Sequence, residues 1–512
     1  MTLNPPHSMS SSLLRRSLAP VAAAALAACA GRAATSTAAA PADRPPALDA
    51  IVESQIRADL FYMASDSMRG REAGTLDELR ASAWVAERAR AAGLQPAGDD
   101  GTYFQFWPMR RIRPSESSRA ALDGAPVALW TDAAVVAPID AQVDLPLVWV
   151  GTAAADSLAK LNLTGKAVAA MVLPPSRPPA SWVSLREWRY TRQAIAERQN
   201  ALVRAGAAAV VLVADDSTDA QFTAMAVPMR RGSYNLDSAG TDRPTARVAA
   251  LFMPAAQRAR VERAKRLTLD VRAESFTYPS VNVVAKQPGT DPALRDEYVL
   301  FSGHNDHDGV RWTVAGDSIW NGADDNASVT VGLLGVARAF VKHPGRRSAL
   351  FVFHGAEERG LIGSRWFVAH PTVPLSKVVA VLNADMIGRN TPDSAALLGV
   401  QAPHRNSSAL VAMALAANDR TGRFKLDTLW DKPTHAEGWY FRSDHLPYAR
   451  AGVPALMFTT LLHADYHTPR DNPDRIDTAK LTRMAQWMYA TGWAVAETDA
   501  RPALDPGFKL ER

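Results

Sequence analysis

RSALFVFHGAEERGLIGS, Arg347–Ser364, is the stretch whose reading decides the fold. It begins as an apolar run of strand length and ends abruptly in small and polar residues, with Glu357 and Glu358 side by side. Three other stretches are built the same way: EYVLFSGH (Glu297–His304), KVVAVLNADMIG (Lys377–Gly388) and VPALMFTT (Val453–Thr460). Helical patterns such as SVTVGLLGVARAFVKH (Ser328–His343) lie between them. Near-continuous apolar strands alternating with helices predict an α/β fold, a mixed central β-sheet with helices on both faces. In such sheets ligands sit beyond the carboxyl ends of the strands, so the polar residues there are where chemistry is expected.

Those strand ends are rich in acids and imidazoles. Ten of the eleven histidines lie at or after position 304. FSGHNDHDG supplies His304 and, two residues on, Asp306. WNGADDNASV (Trp320–Val329) packs Asp324 and Asp325 ahead of the next helix. Asp385 ends the NAD of VLNADMIG, and DYHTPRDNPD brings His467 after the last strand. Singly, each has a structural explanation, such as an acid at a helix start. Together on one sheet edge they would repel one another at high cost unless cations sat among them.

The rest of the chain sets the context. At 512 residues it exceeds what one core usually organises, and 47% hydrophobic with 21% charged residues is a globular composition. Residues 115–276 form a different unit: short β-like runs, LPLVWVG and KAVAAMVLP, flank an Ala-rich helical pattern, and the unit holds no histidine. That predicts an accessory insert, with the catalytic part in residues 50–114 and 277–512. TLDELRASAWVAERARAAGL predicts a helix opened by Thr75 and Glu78 in capping-box spacing and closed at Gly93. Arg15 and Arg16 precede the apolar segment Leu18–Ala28, which reads as an export signal over residues 1–28. The small, proline-bearing residues 29–49 then read as a flexible tether, with folded structure starting near Ile51. Cys29 is the only cysteine, so there is no internal disulfide. Net charge is +5, about +3 without the signal, with no basic run, which argues against nucleic-acid binding.

Three resemblances sharpen these expectations. LAAC, Leu26–Cys29, resembles a bacterial lipoprotein signal, implying export to the periplasm and a lipid anchor on Cys29 in the outer membrane. LTGKAVAAMV and ALVRAGAAAVVLV in the insert resemble the protease-associated domain of secreted peptidases. GHND, GADDNAS, GAEERGLIGS, NADMIGR and YHTPRDNPD, in that order, resemble the co-catalytic zinc exopeptidases of metallopeptidase family 28. GREAGTLDELRASAWVAERARAAGLQP is similar to that family's N-terminal portion. The likeness covers roughly residues 50–113 and 277–500.

The last resemblance implies two Zn²⁺ ions per chain and peptide substrates. Asp325 bridges the ions, His304 and Asp385 complete one and Glu358 and His467 the other, and Glu357 is the general base acting on a water between the ions. Mixed imidazole and carboxylate ligands suit zinc. Asp306 is expected to accept the second N–H of His304, and Tyr466 to donate to the developing oxyanion. Ser443, Asp444 and His445 support the site, whereas His307, His354, His435 and His463 receive no assignment. The peptide bond after Asp325 is expected to be cis. Val329 departs from the family's usual glycine, and Asn326 or Ser328 remains free to cap the following helix. An aminopeptidase is the preferred reading. A carboxypeptidase or dipeptidase, a single-zinc glutaminyl cyclase and a non-enzymatic binding protein are the alternatives on the same scaffold. Glu437 is the candidate for a free amine; Arg389, Arg442 and Arg470 are candidates for a terminal carboxylate. Trp182, Trp188 and Tyr190 of the insert are expected to cover the cleft.

Overall fold

A computed structural model describes residues 45–176, 184–237 and 246–511. The segment read as an export signal, Cys29 and Trp182 lie outside these residues. In chain order the main sheet contains β1 (Phe104–Pro114), β2 (Ser233–Leu236), β3 (Ala273–Gln287), β4 (Tyr298–His304) and β5 (Ser348–His354). It continues with β6 (Val378–Ala384), β7 (Ser394–Leu398), β8 (Lys425–Asp427) and β9 (Ala455–Thr459). The spatial order is β8-β7-β9-β6-β4-β5-β3-β1-β2, and Gln95–Pro96 adds a tenth short strand against β3. The four apolar runs read from the sequence are β9, β6, β4 and β5, adjacent and mutually parallel. β3 and β7 flank them antiparallel, and β1 pairs antiparallel with β3, so the sheet is mixed. His304 and His354 stand side by side at the shared carboxyl edge.

Every residue of β5 and β6 is buried, because helices cover both faces. On one face lie α1 (Glu53–Met63) and α2 (Leu76–Ala91). Thr75 caps α2, its hydroxyl accepting from the Asp77 N–H at 3.2 Å. Glu78 does not complete a capping box: it is fully buried and accepts from the Gly74 N–H and the Ser280 hydroxyl, each at 2.7 Å. The side chain thus reaches one residue past the cap to Gly74 and across to Ser280 of β3 in place of the Thr75 N–H.

Between β1 and β3 the chain builds a second, eight-stranded sheet running from Arg119 to Val271. Its helix α3 (Arg186–Arg204) buries Ala194, Ile195 and Leu202 against Val168, Val210 and Leu212. The two sheets are not independent, since β2 leaves this region to pair with β1 in the main sheet. The main core is completed by α4 (Val329–Lys342) and α5 (Thr478–Glu497), which bury Leu334, Phe340, Met484 and Trp487 against Phe301 and Phe351. The opposite face packs Leu300 and Leu350 on Phe367 and Tyr448. Leu48 is already part of the core, so ordered packing starts ahead of Ile51 and the last residues of the expected tether are anchored. Among the described residues, no helix is long and apolar enough to cross a membrane.

Candidate metal centre

The loops at the carboxyl edge of β4, β5, β6 and β9 converge. His304 closes β4, Glu357 and Glu358 follow β5, Asp385 follows β6, and His467 sits in the loop after β9. Asp325 lies in a single wide turn, Ala323–Ser328, that leads into α4; its peptide bond to Asn326 is cis. Two groups of candidate ligand atoms result: His304, Glu357 and Asp385, and His307, Asp325, Glu358 and His467, with the atoms of each group within 4.8 Å of one another. Asp325 joins them. Its Oδ1 is 3.2 Å from His304 Nε2 and its Oδ2 is 3.0 Å from His467 Nε2. Glu358 Oε1 is 3.1 Å from His467 Nε2, while Asp385 Oδ1 stands 3.8 Å and Glu357 Oε2 3.7 Å from His304 Nε2.

The turn that presents Asp325 is held from several directions. Asp471 accepts the backbone N–H groups of Asp324 and Asp325 at 3.0 and 3.1 Å. Asp324 is buried and accepts the Gly388 N–H at 2.6 Å. Neither Asn326 nor Ser328 caps α4: the Ser328 hydroxyl donates back to the Asp324 carbonyl at 2.7 Å, and the Asn326 side chain bonds the backbone at Ala384 and Met386. Both side chains are used to lock the turn onto the end of β6. Gly322, at φ 58°, packs so closely that a Cβ there would lie 2.4 Å from the His307 ring. Val329 fills the space over Gly303, whose added Cβ would meet it at 2.4 Å. The departure from the family pattern is thus matched by a glycine across from it.

Both histidines are backed by an acid segment. His304 Nδ1 is 3.1 Å from the Asp306 backbone carbonyl and 3.5 Å from its carboxylate. The Asp306 carboxylate is the stronger anchor for the neighbouring loop, accepting the Glu357 N–H at 3.0 Å. The nearer partner of the ring is thus the Asp306 carbonyl, in place of the carboxylate expected from the sequence. His467 Nδ1 is 3.3 Å from Asp308, a residue the sequence reading left without a role. His307, also unassigned, lies with its Nδ1 2.9 Å from Glu358 and edge-on to His467. Arg71 was missed as well. It is fully buried and donates to the carbonyls of Met63, Asn305, Asn321 and Gly322 at 3.0, 2.8, 2.7 and 2.9 Å, tying the loops of His304 and Asp325 together. The density of charge in HNDHD was the available signal for His307 and Asp308; the GREAG motif was that for Arg71.

The electrostatics call for positive charge. Burial works to lower His467, yet Glu358 and Asp308 push it up to about 10. His304, buried among Glu357, Asp306, Asp325 and Asp385, is likewise raised well above its ordinary value. Burial drives Glu357 well above the usual carboxylate range; His304 opposes this, and Glu358 and Asp385 add to it. Despite these short contacts, the buried His304 Nε2, both His307 nitrogens and Glu358 Oε1 make no well-directed hydrogen bond among the described residues. Buried imidazole and carboxylate atoms converging within ligand distance are the donor set of a divalent cation site, and here they fall in two groups.

The remaining candidates fall around this centre. Tyr466 is 6% exposed, lies with its ring 3.9 Å from that of His467, and its hydroxyl accepts from Arg442 at 3.0 Å. Ser443 accepts from Asn383 at 2.8 Å; Asp444 is buried and pushed up to about 7 by burial; His445 is lowered to about 3 by burial and lies edge-on to Tyr440. His354, lowered to about 3 by burial, meets the Tyr448 hydroxyl at 3.1 Å; His463 is 3.4 Å from Asp324, and His435 packs on Trp430. Glu437 is not available for a free amine, because Arg442 at 2.8 Å and Arg189 of α3 at 3.2 Å both engage it. Arg389 and Arg470 are bound to Asp465 at 2.8 and 3.0 Å.

Two cavities meet at the centre. A smaller one of 270 Å³ places Leu361, Trp439 and Phe441 beside Asp325, Glu357 and Asp385. A larger one of 610 Å³ lies between the same centre and α3, with Trp188 and Arg192 on its wall. Tyr190 is not among the residues lining either cavity.

Residues 282–492 match the model of Peptidase family M28. Aminopeptidase YwaD of Bacillus subtilis (strain 168) is 27% identical over 188 residues, 35% of this chain and 39% of that relative. The fold is that of a zinc aminopeptidase from Bacillus subtilis, BSAP (TM-score 0.56, 18% identity, 90% of this chain and 99% of that one). It is shared with an aminopeptidase from Aneurinibacillus sp. strain AM-1 (TM-score 0.55, 18% identity, 90% and 97%).

Proposed function

We propose, on the premise that residues 282–492 belong to Peptidase family M28, that the chain is a zinc-dependent exopeptidase acting as an aminopeptidase on peptides. The observation that carries this reading is Asp325, whose two carboxylate oxygens face His304 on one side and His467 on the other, at the meeting point of two cavities. His304, Asp325 and Asp385 would hold one Zn²⁺, and Asp325, Glu358 and His467 the other, with His307 beside the second. Two such ions supply Lewis acidity toward a peptide carbonyl and bring a water's pKa near neutrality.

The chain's own groups do the rest. Glu357, held by its N–H on Asp306, takes the proton of the attacking water and hands it to the leaving amine. Tyr466 directs its O–H toward the developing oxyanion, its oxygen fixed by Arg442. The small cavity joins carboxylates to the apolar surface of Leu361, Trp439 and Phe441, which suits a free N-terminal residue with an apolar side chain. The protein is exported, lipid-anchored through Cys29 to the outer membrane.

The test is a metal-dependent assay of wild type and Glu357→Gln on leucine p-nitroanilide, a free dipeptide, an N-acetylated dipeptide and an N-terminal glutamine peptide. Hydrolysis of the first two only is expected. The variant should lose at least about 10²-fold in kcat while keeping its metal. Cleavage of the N-acetylated dipeptide would make the chain a carboxypeptidase, cyclisation of the glutamine peptide a cyclase, and full activity of the variant would remove Glu357 as base.

A further inference from the structure

The larger cavity is unusually basic. Arg189, Arg192, Arg311, Arg359 and Arg442 line it, against the carboxylates of Asp308 and Glu358. Four of the five are held by the chain's own acids. Arg311 and Arg359 reach Asp308 at 2.5 and 3.3 Å, and Arg189 and Arg442 share Glu437. Arg192 differs. It is exposed, makes no hydrogen bond or ion pair among the described residues, and rests its guanidinium over the Trp188 ring at 5.6 Å.

That platform is itself braced. Trp188 of α3 stacks on Trp312 of the short two-stranded hairpin Gly309–Trp320, centroids 6.2 Å apart and planes within 10° of parallel. A guanidinium lying over an indole keeps its N–H donors free around its edge, a geometry that matches a carboxylate. Arg192 also lines the neighbouring 570 Å³ cavity, so it stands where the two spaces join. The Glu437 bridge to Arg189, one turn earlier on α3, fixes this helix to the loop that carries Arg442.

We propose that Arg192 is a specificity residue that receives a carboxylate on the part of the substrate beyond the scissile bond, making peptides with a free C-terminus the preferred substrates. The inference rests on the aminopeptidase reading above. With the N-terminal residue in the small cavity, the remainder of a peptide runs into the arginine-lined one, and Arg192 is the arginine there that no described residue pairs. An acidic side chain offers the same chemistry as a terminal carboxylate, and the two are separable.

The test compares kcat/KM for Leu-Gly-Gly, its C-terminal amide and Leu-Asp-Gly amide in wild type, Arg192→Gln and Arg192→Lys. Wild type should favour the free acid over its amide by about tenfold, through KM, as one charge-assisted pair implies. Arg192→Gln should bring that ratio within about twofold of unity and Arg192→Lys should restore most of it. If the aspartyl amide matches the free acid, the side chain is the source of the carboxylate. A ratio near one in wild type, or one unchanged in Arg192→Gln, overturns the proposal. Hydrolysis of leucine p-nitroanilide, which has no carboxylate, reports separately on the aminopeptidase reading, so the two failures are distinguishable.

Discussion

Replacing Arg71 by methionine tests whether one buried side chain holds the metal-bearing loops in place. The guanidinium donates four hydrogen bonds to backbone carbonyls, two of them on Asn321 and Gly322 just ahead of Asp325 and one on Asn305 just after His304. Burial lowers its pKa to about 10, so it is charged at neutral pH, and Asp306, Asp325, Asp471 and Glu358 all benefit from it. Methionine fits the volume but leaves four buried acceptors unpaired. At about 1–2 kcal/mol each the loss is roughly 4–8 kcal/mol. A folded unit of this size unfolds with an entropy of about 1 kcal/mol/K, so the melting temperature should fall by roughly 4–8 °C. Metal affinity should also drop, by roughly 10–100-fold, as the two loops lose their common anchor. Calorimetric melting and chelator competition read the two effects. Arg71→Lys keeps the charge but fewer donors and should fall between. A melting temperature within 1 °C of wild type, with unchanged metal affinity, would refute the reasoning.

Two further substitutions probe the same scaffold. Asp471→Ala removes the acceptor for the N–H groups of Asp324 and Asp325 and should weaken metal binding by roughly 10–100-fold in a chelator competition, with Asp471→Asn milder because it keeps one acceptor oxygen. Burial raises Glu78 to about 8, with the Asp306 charge adding to it, so between its ordinary value of 4.5 and that point the folded protein holds a proton that the unfolded chain releases. Stability is then lost as pH rises across this window, with a ceiling of about 5 kcal/mol. Glu78→Gln, neutral throughout, should flatten the fall in melting temperature between pH 6 and 9, and an unchanged slope would remove Glu78 as its source.

The parts of the site that could be read from sequence are those whose signal is local. β4, β5, β6 and β9 announce themselves because a parallel strand covered on both faces must be apolar along its whole length, and the polar residue that ends it is then conspicuous. His304, Glu357, Glu358 and Asp385 are all of this kind. What escaped depends on contacts that sequence spacing does not encode. Arg71 meets Asn305 and Gly322 from 234 and 251 residues away, and a buried arginine looks like any surface one in a helical neighbourhood. His307 and Asp308 follow the end of β4, where no strand periodicity says which way a side chain points. Ser328 sits where a helix cap would be, but the turn before α4 is wide enough for its hydroxyl to reach back to Asp324. Glu437 is taken up in part by Arg189, which arrives from a helix 248 residues earlier.

The central claim is that one carboxylate, Asp325, serves two cations. Its most direct test is the metal stoichiometry of the metal-depleted protein, read by zinc titration calorimetry with elemental analysis, in wild type and Asp325→Ala. Two ions per wild-type chain are predicted, with both weakened together in the variant, since each site loses a ligand at once. One ion per chain, or a variant that binds two as tightly as wild type, would contradict it.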